Sequence, residues 1–197
     1  MNSDELLDRL LSILEDTVLP LTRQAVRQGN KIFGAAILRK SDFSLVIAGA
    51  NEEVRNTLLH GEVSCLNRFW AMPEPDRPTP GDCLFLSTHE PCSMCLSAIT
   101  WSGFDNFYYF FSYEDSRDEF AIPHDLNILK EVFRCEHGNY ARSNSYWFSY
   151  HLQNMIDNGD EAKRAQWIDR VNALKSEYAA LSDQYQRLKT GHAIPLK

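Results

Sequence analysis

Two short polar segments constrain this chain most, because each stands where a helix begins. Residues 91–95 read Pro-Cys-Ser-Met-Cys and follow an apolar run at 83–88 that suits a buried strand. Residues 60–62 read His-Gly-Glu and open a second helical stretch. Cys92 and Cys95 lie three apart, so on a helix their sulfurs share one face of the first turn. A helix N-terminus also favours the thiolate form. With His60 as a neutral third donor the set suits zinc: two thiolates cancel the charge of Zn²⁺, and one position stays open, as in catalytic rather than structural zinc sites. Glu62 is too close to His60 for joint ligation, but it reaches a water in the open position, whose pKa zinc lowers to about 7. A carboxylate there can take up a proton and return it. An H-x-E triplet alone is close to noise, and P-C-x-x-C alone fits a redox pair or half of a closed zinc site. Together, the redox reading leaves His60 and Glu62 without a purpose.

The 197 residues suit one domain, or one domain with an appendage. No apolar run approaches 18 residues, which excludes a membrane-spanning helix. Lys and Arg number 20 against 27 Asp and Glu, a net charge of −7, so nothing general draws the chain to nucleic acid phosphates. The first residues are acidic where a secretory leader is basic, and five cysteines are too few and odd in number for a secreted disulfide framework. The expected location is cytoplasmic, with Cys65, Cys83 and Cys135 as small buried side chains.

Residues 3–16 have the periodicity of an amphipathic helix, and Pro20 implies a break, with Thr17 capping a second helix to about 28. Strands are expected at 32–38, 45–50, 83–88 and 106–111, and helices at 60–70, 92–101 and 126–133. Four prolines in residues 73–80 suggest a stiff, extended connector. Residues 112–125 read as a polar and aromatic loop, and 134–150 carry no clear pattern. Alternating strands and helices imply a three-layer α/β domain. Near the C-terminus, Trp167, Val171, Leu174, Tyr178, Leu181, Tyr185 and Leu188 form a heptad seam that can dock on its own domain or on a partner. The division expected is a domain over 1–159, with an N-terminal helical extension (1–18), and an amphipathic helix and tail over 160–197.

The chain resembles the cytidine and deoxycytidylate deaminase superfamily, in particular the branch of guanine deaminases and tRNA adenosine deaminases. The residues that carry the resemblance are Phe-Gly-Ala-Ala-Ile at 33–37, Ala-Gly-Ala-Asn at 48–51, and Glu-Pro-Cys-Ser-Met-Cys-Leu-Ser-Ala-Ile at 90–99. The pairing of H-x-E with P-C-x-x-C is the signature of zinc deaminases. The resemblance covers about residues 20–120. It implies a three-layer α-β-α fold with a mixed five-stranded sheet, to which this chain adds a C-terminal helix. It also implies one Zn²⁺ held by His60, Cys92 and Cys95, Glu62 as proton shuttle, and contacts to substrate from the Asn51 side chain and the Gly61 backbone. The implied activity is hydrolytic release of ammonia from an amino-substituted base, nucleoside or related small heterocycle, by a homodimer.

Two other functions stand beside it: a tRNA adenosine deaminase, which the acidic balance disfavours, and a silent zinc-bound scaffold, which has no use for Glu62. Other residues have plainer expected roles. His89 is expected behind the ligands, Asp115, Asp118 and His124 on a loop overhanging the site, and Trp101, Phe104, Phe107, Tyr108 and Tyr109 in the core.

Overall fold

A computed structural model describes residues 3–191 and 193–196. The outermost positions of both expected extensions (1, 2, 192 and 197) lie outside the described residues.

The strands are β1 (Gly34–Arg39), β2 (Leu45–Ala50), β3 (Cys83–His89), β4 (Asn106–Phe111) and β5 (Phe148–His151). They form one mixed sheet in the order β2-β1-β3-β4-β5. β1 pairs antiparallel with β2 and β3, and β3-β4-β5 run parallel. The three central strands are apolar at successive positions because both faces are covered. Ala36, Leu38, Leu84, Leu86, Tyr108 and Phe110 point into one core, and Ala35, Ile37, Cys83, Phe85, Phe107 and Tyr109 into the other. That is the period-two alternation of a strand, read on two buried faces.

The second face carries α3 (Gly61–Trp70) and α4 (Ser93–Trp101), through Cys65, Leu66, Phe69 and Ile99. The first face carries α1 (Ser3–Ile13), α2 (Leu19–Arg27), α7 (Leu152–Asn158) and α8 (Glu161–Leu188). Between β4 and β5 lie α5 (Tyr113–Asp118) and α6 (His124–Glu131).

The expected break at Pro20 does not occur. The helix runs on through a π-helical segment, Leu14–Val18, and neither Thr17 nor any other side chain caps α2. A π turn makes room for the proline ring and its missing N–H, and the buried row Leu7, Leu10, Leu11, Leu14 and Val18 holds the continuous helix on the sheet.

Residues 112–125 are not simply a loop. Ser112 caps α5 by accepting from the Asp115 backbone N–H, and the Asp115 carboxylate accepts from the Ser112 N–H. This reciprocal box stabilises a short helix inside a polar stretch. The connector at 73–80 is turned, not extended: the Pro73 carbonyl accepts from both Asp76 and Arg77. Cys135 is only partly buried.

The seam of α8 packs inside the chain. Trp167, Val171, Leu174, Tyr178, Leu181 and Tyr185 are buried against α1, α2 and the sheet, while Leu188 is exposed. Polar clasps fix its register: the Trp167 indole donates to Asp8 at 2.6 Å, and Arg170 bonds Glu15 at 2.6 Å and Ser12 at 2.9 Å. No helix among the described residues is long and apolar enough to cross a membrane.

Candidate active site

Helices α3 and α4 begin side by side at the end of β3, and their first residues form the site. His60 is the N-cap of α3 and Cys92 the N-cap of α4, both with extended ψ and no side-chain cap bond, so their side chains are free to turn toward each other. Cys95 follows in the first turn of α4. The His60 Nδ1 atom lies 3.5 Å from Cys92 Sγ and 3.7 Å from Cys95 Sγ. All three donor atoms fall within 4.8 Å of one another. A tetrahedral zinc ion with bonds of about 2.0–2.3 Å has ligand–ligand edges of roughly 3.5 Å, so the spacing and the donor chemistry both fit Zn²⁺.

Gly61 explains how α3 comes so close. A Cβ there would sit 2.7 Å from the Gly34 nitrogen and 2.8 Å from its Cα, so only glycine lets the helix start press against β1. Gly61 itself does not line the cavity beside the sulfurs; His60 and Glu62, on either side of it, do.

The electrostatics suit a cation. A hydrogen bond from the Cys95 thiol and, against the cost of burial, the nearby His60 hold Cys92 well below the usual thiol range. Burial pushes Cys95 up, so the pair holds one negative charge. Burial would lower His60, but the hydrogen bond and charge of Cys92, with Glu53 and Glu62 nearby, raise it to about 9. The site therefore attracts positive charge, and a metal ion would replace the protons on His60 and Cys95. The other ring nitrogen of His60, Nε2, faces the Glu53 carboxylate at 3.7 Å, which leaves Nδ1 toward the sulfurs.

Glu62 is 4% exposed. Its Oε1 accepts from the Ser87 hydroxyl at 3.0 Å, and its Oε2 from the Cys95 thiol at 3.4 Å. Burial raises its pKa, and the charge on Cys92 adds to the effect. A carboxyl with a raised pKa, fixed beside the candidate ligand atoms, is suited to accept and return a proton. Next to it is a cavity of about 260 Å³, at the small end for ligand pockets.

The remaining expected residues divide. Asn51 is buried but does not line this cavity: its amide donates to Glu53 at 2.6 Å, and its oxygen accepts from the Glu53 and Lys31 backbone N–H groups. Lys31 and Glu53 line the cavity instead, together with His124 and Asp125. Asp115 is spent in the α5 cap, and Asp118 pairs with Arg117 away from the site. Phe104, Phe107, Tyr108 and Tyr109 are core residues, but Trp101 is 91% exposed.

His89 is buried among Phe33, Phe111, Phe120 and Tyr178. Its Nδ1 meets the Thr88 hydroxyl at 2.9 Å, while Nε2 has no hydrogen-bond partner. The sequence did not signal Lys31, Glu53 or Asp125, since no motif or spacing rule links these charged residues to the cysteines.

Residues 13–111 match the family model of the cytidine and deoxycytidylate deaminase zinc-binding region, and the chain belongs to this family. His60, Cys92 and Cys95 form its candidate zinc site. The cytosine deaminase of Candida albicans is 33% identical over 88 residues, which are 44% of this chain and 56% of that protein. A probable cytosine deaminase of Schizosaccharomyces pombe is 29% identical over 103 residues, 52% of this chain and 60% of that protein. The chain thus matches little more than half the length of these curated relatives. The structure of a guanine deaminase from Nitrosomonas europaea superposes with a TM-score of 0.51 at 22% identity, covering 83% of this chain and 81% of that one, and shares the fold.

Burial without a partner for Nε2 lowers the His89 pKa to about 3. The unfolded chain binds a proton at about 6.5 that the folded chain refuses until about pH 3, so this group costs stability as pH falls through that window and nothing above it. Denaturant titrations from pH 7 to 4 should therefore show His89→Phe losing less stability on acidification than the parent chain, by about 1 kcal/mol per pH unit. Equal slopes would contradict a neutral, buried imidazole.

Proposed function

We propose that the chain is a zinc-dependent hydrolase of the guanine deaminase type, which replaces an amino group of a base, nucleoside or related small heterocycle with oxygen and releases ammonia. The observation that carries this reading is Glu62: a buried carboxylate held by Ser87 beside Cys95, facing a small cavity. The deaminases among the relatives named above support the same chemistry. His60, Cys92 and Cys95 would hold the zinc ion, which would supply Lewis-acid activation of water.

The protein's own residues do the rest. Glu62 accepts a proton from the attacking water and delivers it to the ring nitrogen, then takes a second from the hydroxyl added to the carbon and passes it to the departing amine, so that N=C–NH₂ and water become HN–C=O and NH₃. Ser87 holds one carboxylate oxygen, and the other lies at the Cys95 sulfur, beside the donor atoms where the proton is exchanged. The cavity walls exclude bulk water and present the ring edge to Glu62. A scaffold role leaves this buried carboxylate unexplained, and the acidic lining does not favour a tRNA backbone.

The cytoplasm is the compartment that fits this reading, since it keeps metal-binding thiols reduced. We also infer a homodimer, formed through the outer face of α4, where Trp101 and Tyr146 are 91% and 70% exposed. Such aromatic exposure on a stable monomer is unusual. A monomeric mass by light scattering would contradict the dimer.

The direct test of the activity is ammonia release by zinc-loaded protein from a panel of amino-purines, amino-pyrimidines and their nucleosides. Glu62→Gln should keep its zinc and its fold but lose about 10²- to 10⁴-fold in turnover, since an amide cannot take up the proton. A variant that retained most of its turnover would remove Glu62 from the mechanism.

A further inference from the structure

The cavity holds a lysine that the mechanism above does not use. Lys31 sits in the turn between α2 and β1, its side chain only 5% exposed, and lines the cavity. Its backbone N–H donates to Asn51 Oδ1 at 3.3 Å, which ties this turn to the segment after β2. Its ammonium carries three N–H donors and makes one hydrogen bond, to Glu53 Oε1 at 3.0 Å. The other oxygen of Glu53 accepts from the Asn51 amide at 2.6 Å, so the carboxylate, and with it the ammonium, is held in place from behind.

A buried ammonium with two unspent donors is costly unless something in the cavity accepts from it. Charge decides what kind of acceptor. Lys31 and Glu53 neutralise each other, and the same cavity is lined by Glu62, Glu90 and Asp125. An anionic ligand would meet no net positive charge to hold it, whereas a neutral carbonyl oxygen needs none. Glu90 is already satisfied, by Tyr140 at 2.7 Å and Arg142 at 2.9 Å. Asp125 makes no hydrogen bond among the described residues and remains as an acceptor for a ring N–H or amino group. The cavity thus offers a fixed donor at Lys31 and a free acceptor at Asp125.

We propose that Lys31 is a specificity-determining residue: its ammonium reads an exocyclic oxo group, so that an amino-heterocycle lacking the ring carbonyl, such as adenine, is discriminated against by this side chain. This assignment rests on the hydrolytic reading above and narrows it. A site built to hydrogen-bond one group discriminates strongly against the analogue without it, because its own buried donor is then left unpaired.

The test uses the zinc-loaded full-length protein and matched pairs that differ only in the oxo group: cytosine against 4-aminopyrimidine, and guanine against 2-aminopurine. For at least one pair, kcat/KM should favour the oxo member by on the order of 10- to 100-fold, the range for a hydrogen bond to a charged group. In Lys31→Met that ratio should fall toward one. Because this change leaves Glu53 as an unpaired buried carboxylate, Lys31→Met/Glu53→Gln is measured beside it, with zinc content and thermal unfolding as checks on the fold.

A second readout needs no turnover: calorimetric binding of the corresponding products, uracil against 4-pyrimidinone and xanthine against 2-hydroxypurine, should show the same preference and the same loss. Ammonia released equally well from both members of each pair would overturn the Lys31 assignment while supporting the hydrolytic reading. Product binding with the oxo preference intact, but no ammonia from any base, would support Lys31 and count against hydrolysis. Absence of any preference in both readouts, or a preference that survives in both variants, would overturn the assignment.

Discussion

The abutment of two helix N-termini on one face of the sheet is the constraint on which the rest depends. α3 reaches its place because Gly61 presents no Cβ to Gly34, and α4 because it follows directly from the parallel strand β3. One start supplies an imidazole and a carboxylate two residues apart, the other two sulfurs three apart. None of these residues could form the cluster from its own element alone. The two ends also converge their unsatisfied backbone N–H groups, which favours negative charge on the sulfurs and hence a bound cation.

The surrounding charges follow from that placement. The cavity collects Glu53, Glu62, Glu90 and Asp125 around a cluster that itself holds a thiolate, and the fold pairs two of them with cations. Arg142 and Tyr140 hold Glu90, which stands two residues before Cys92 and so anchors the turn that carries the sulfurs. Lys31 holds Glu53, and Glu53 faces the back of His60. Glu62 keeps only hydroxyl and thiol contacts, and burial together with the charge on Cys92 raises its pKa.

Local chemistry was the legible part of the sequence. The i, i+3 cysteines, the prolyl entry to α4 and the apolar central strands each express a rule that acts within a few residues, and β2, α3 and β4 fall close to their expected bounds. What the sequence hid depends on distant partners. The helix through Pro20 survives because burial of Leu14 and Val18 outweighs a local break. β5 reads as no strand because Phe148 and Tyr150 are exposed on a sheet edge, and it is held by its pairing with β4. Lys31 and Glu53 meet across 22 residues of sequence, and no spacing rule connects them. Trp101 looked like core by composition, and only the packing of α4 shows that it faces outward.

The central claim is that His60, Cys92 and Cys95 form a three-donor metal centre with one open position. X-ray absorption at the zinc edge of the metal-loaded, full-length protein tests it directly. The expected first shell has two sulfurs at about 2.3 Å and two light atoms at about 2.0–2.1 Å, one an imidazole nitrogen and the other exchangeable for an added ligand. A shell with three or four sulfurs, or one that no added ligand alters, would mean a closed structural site and would contradict the account.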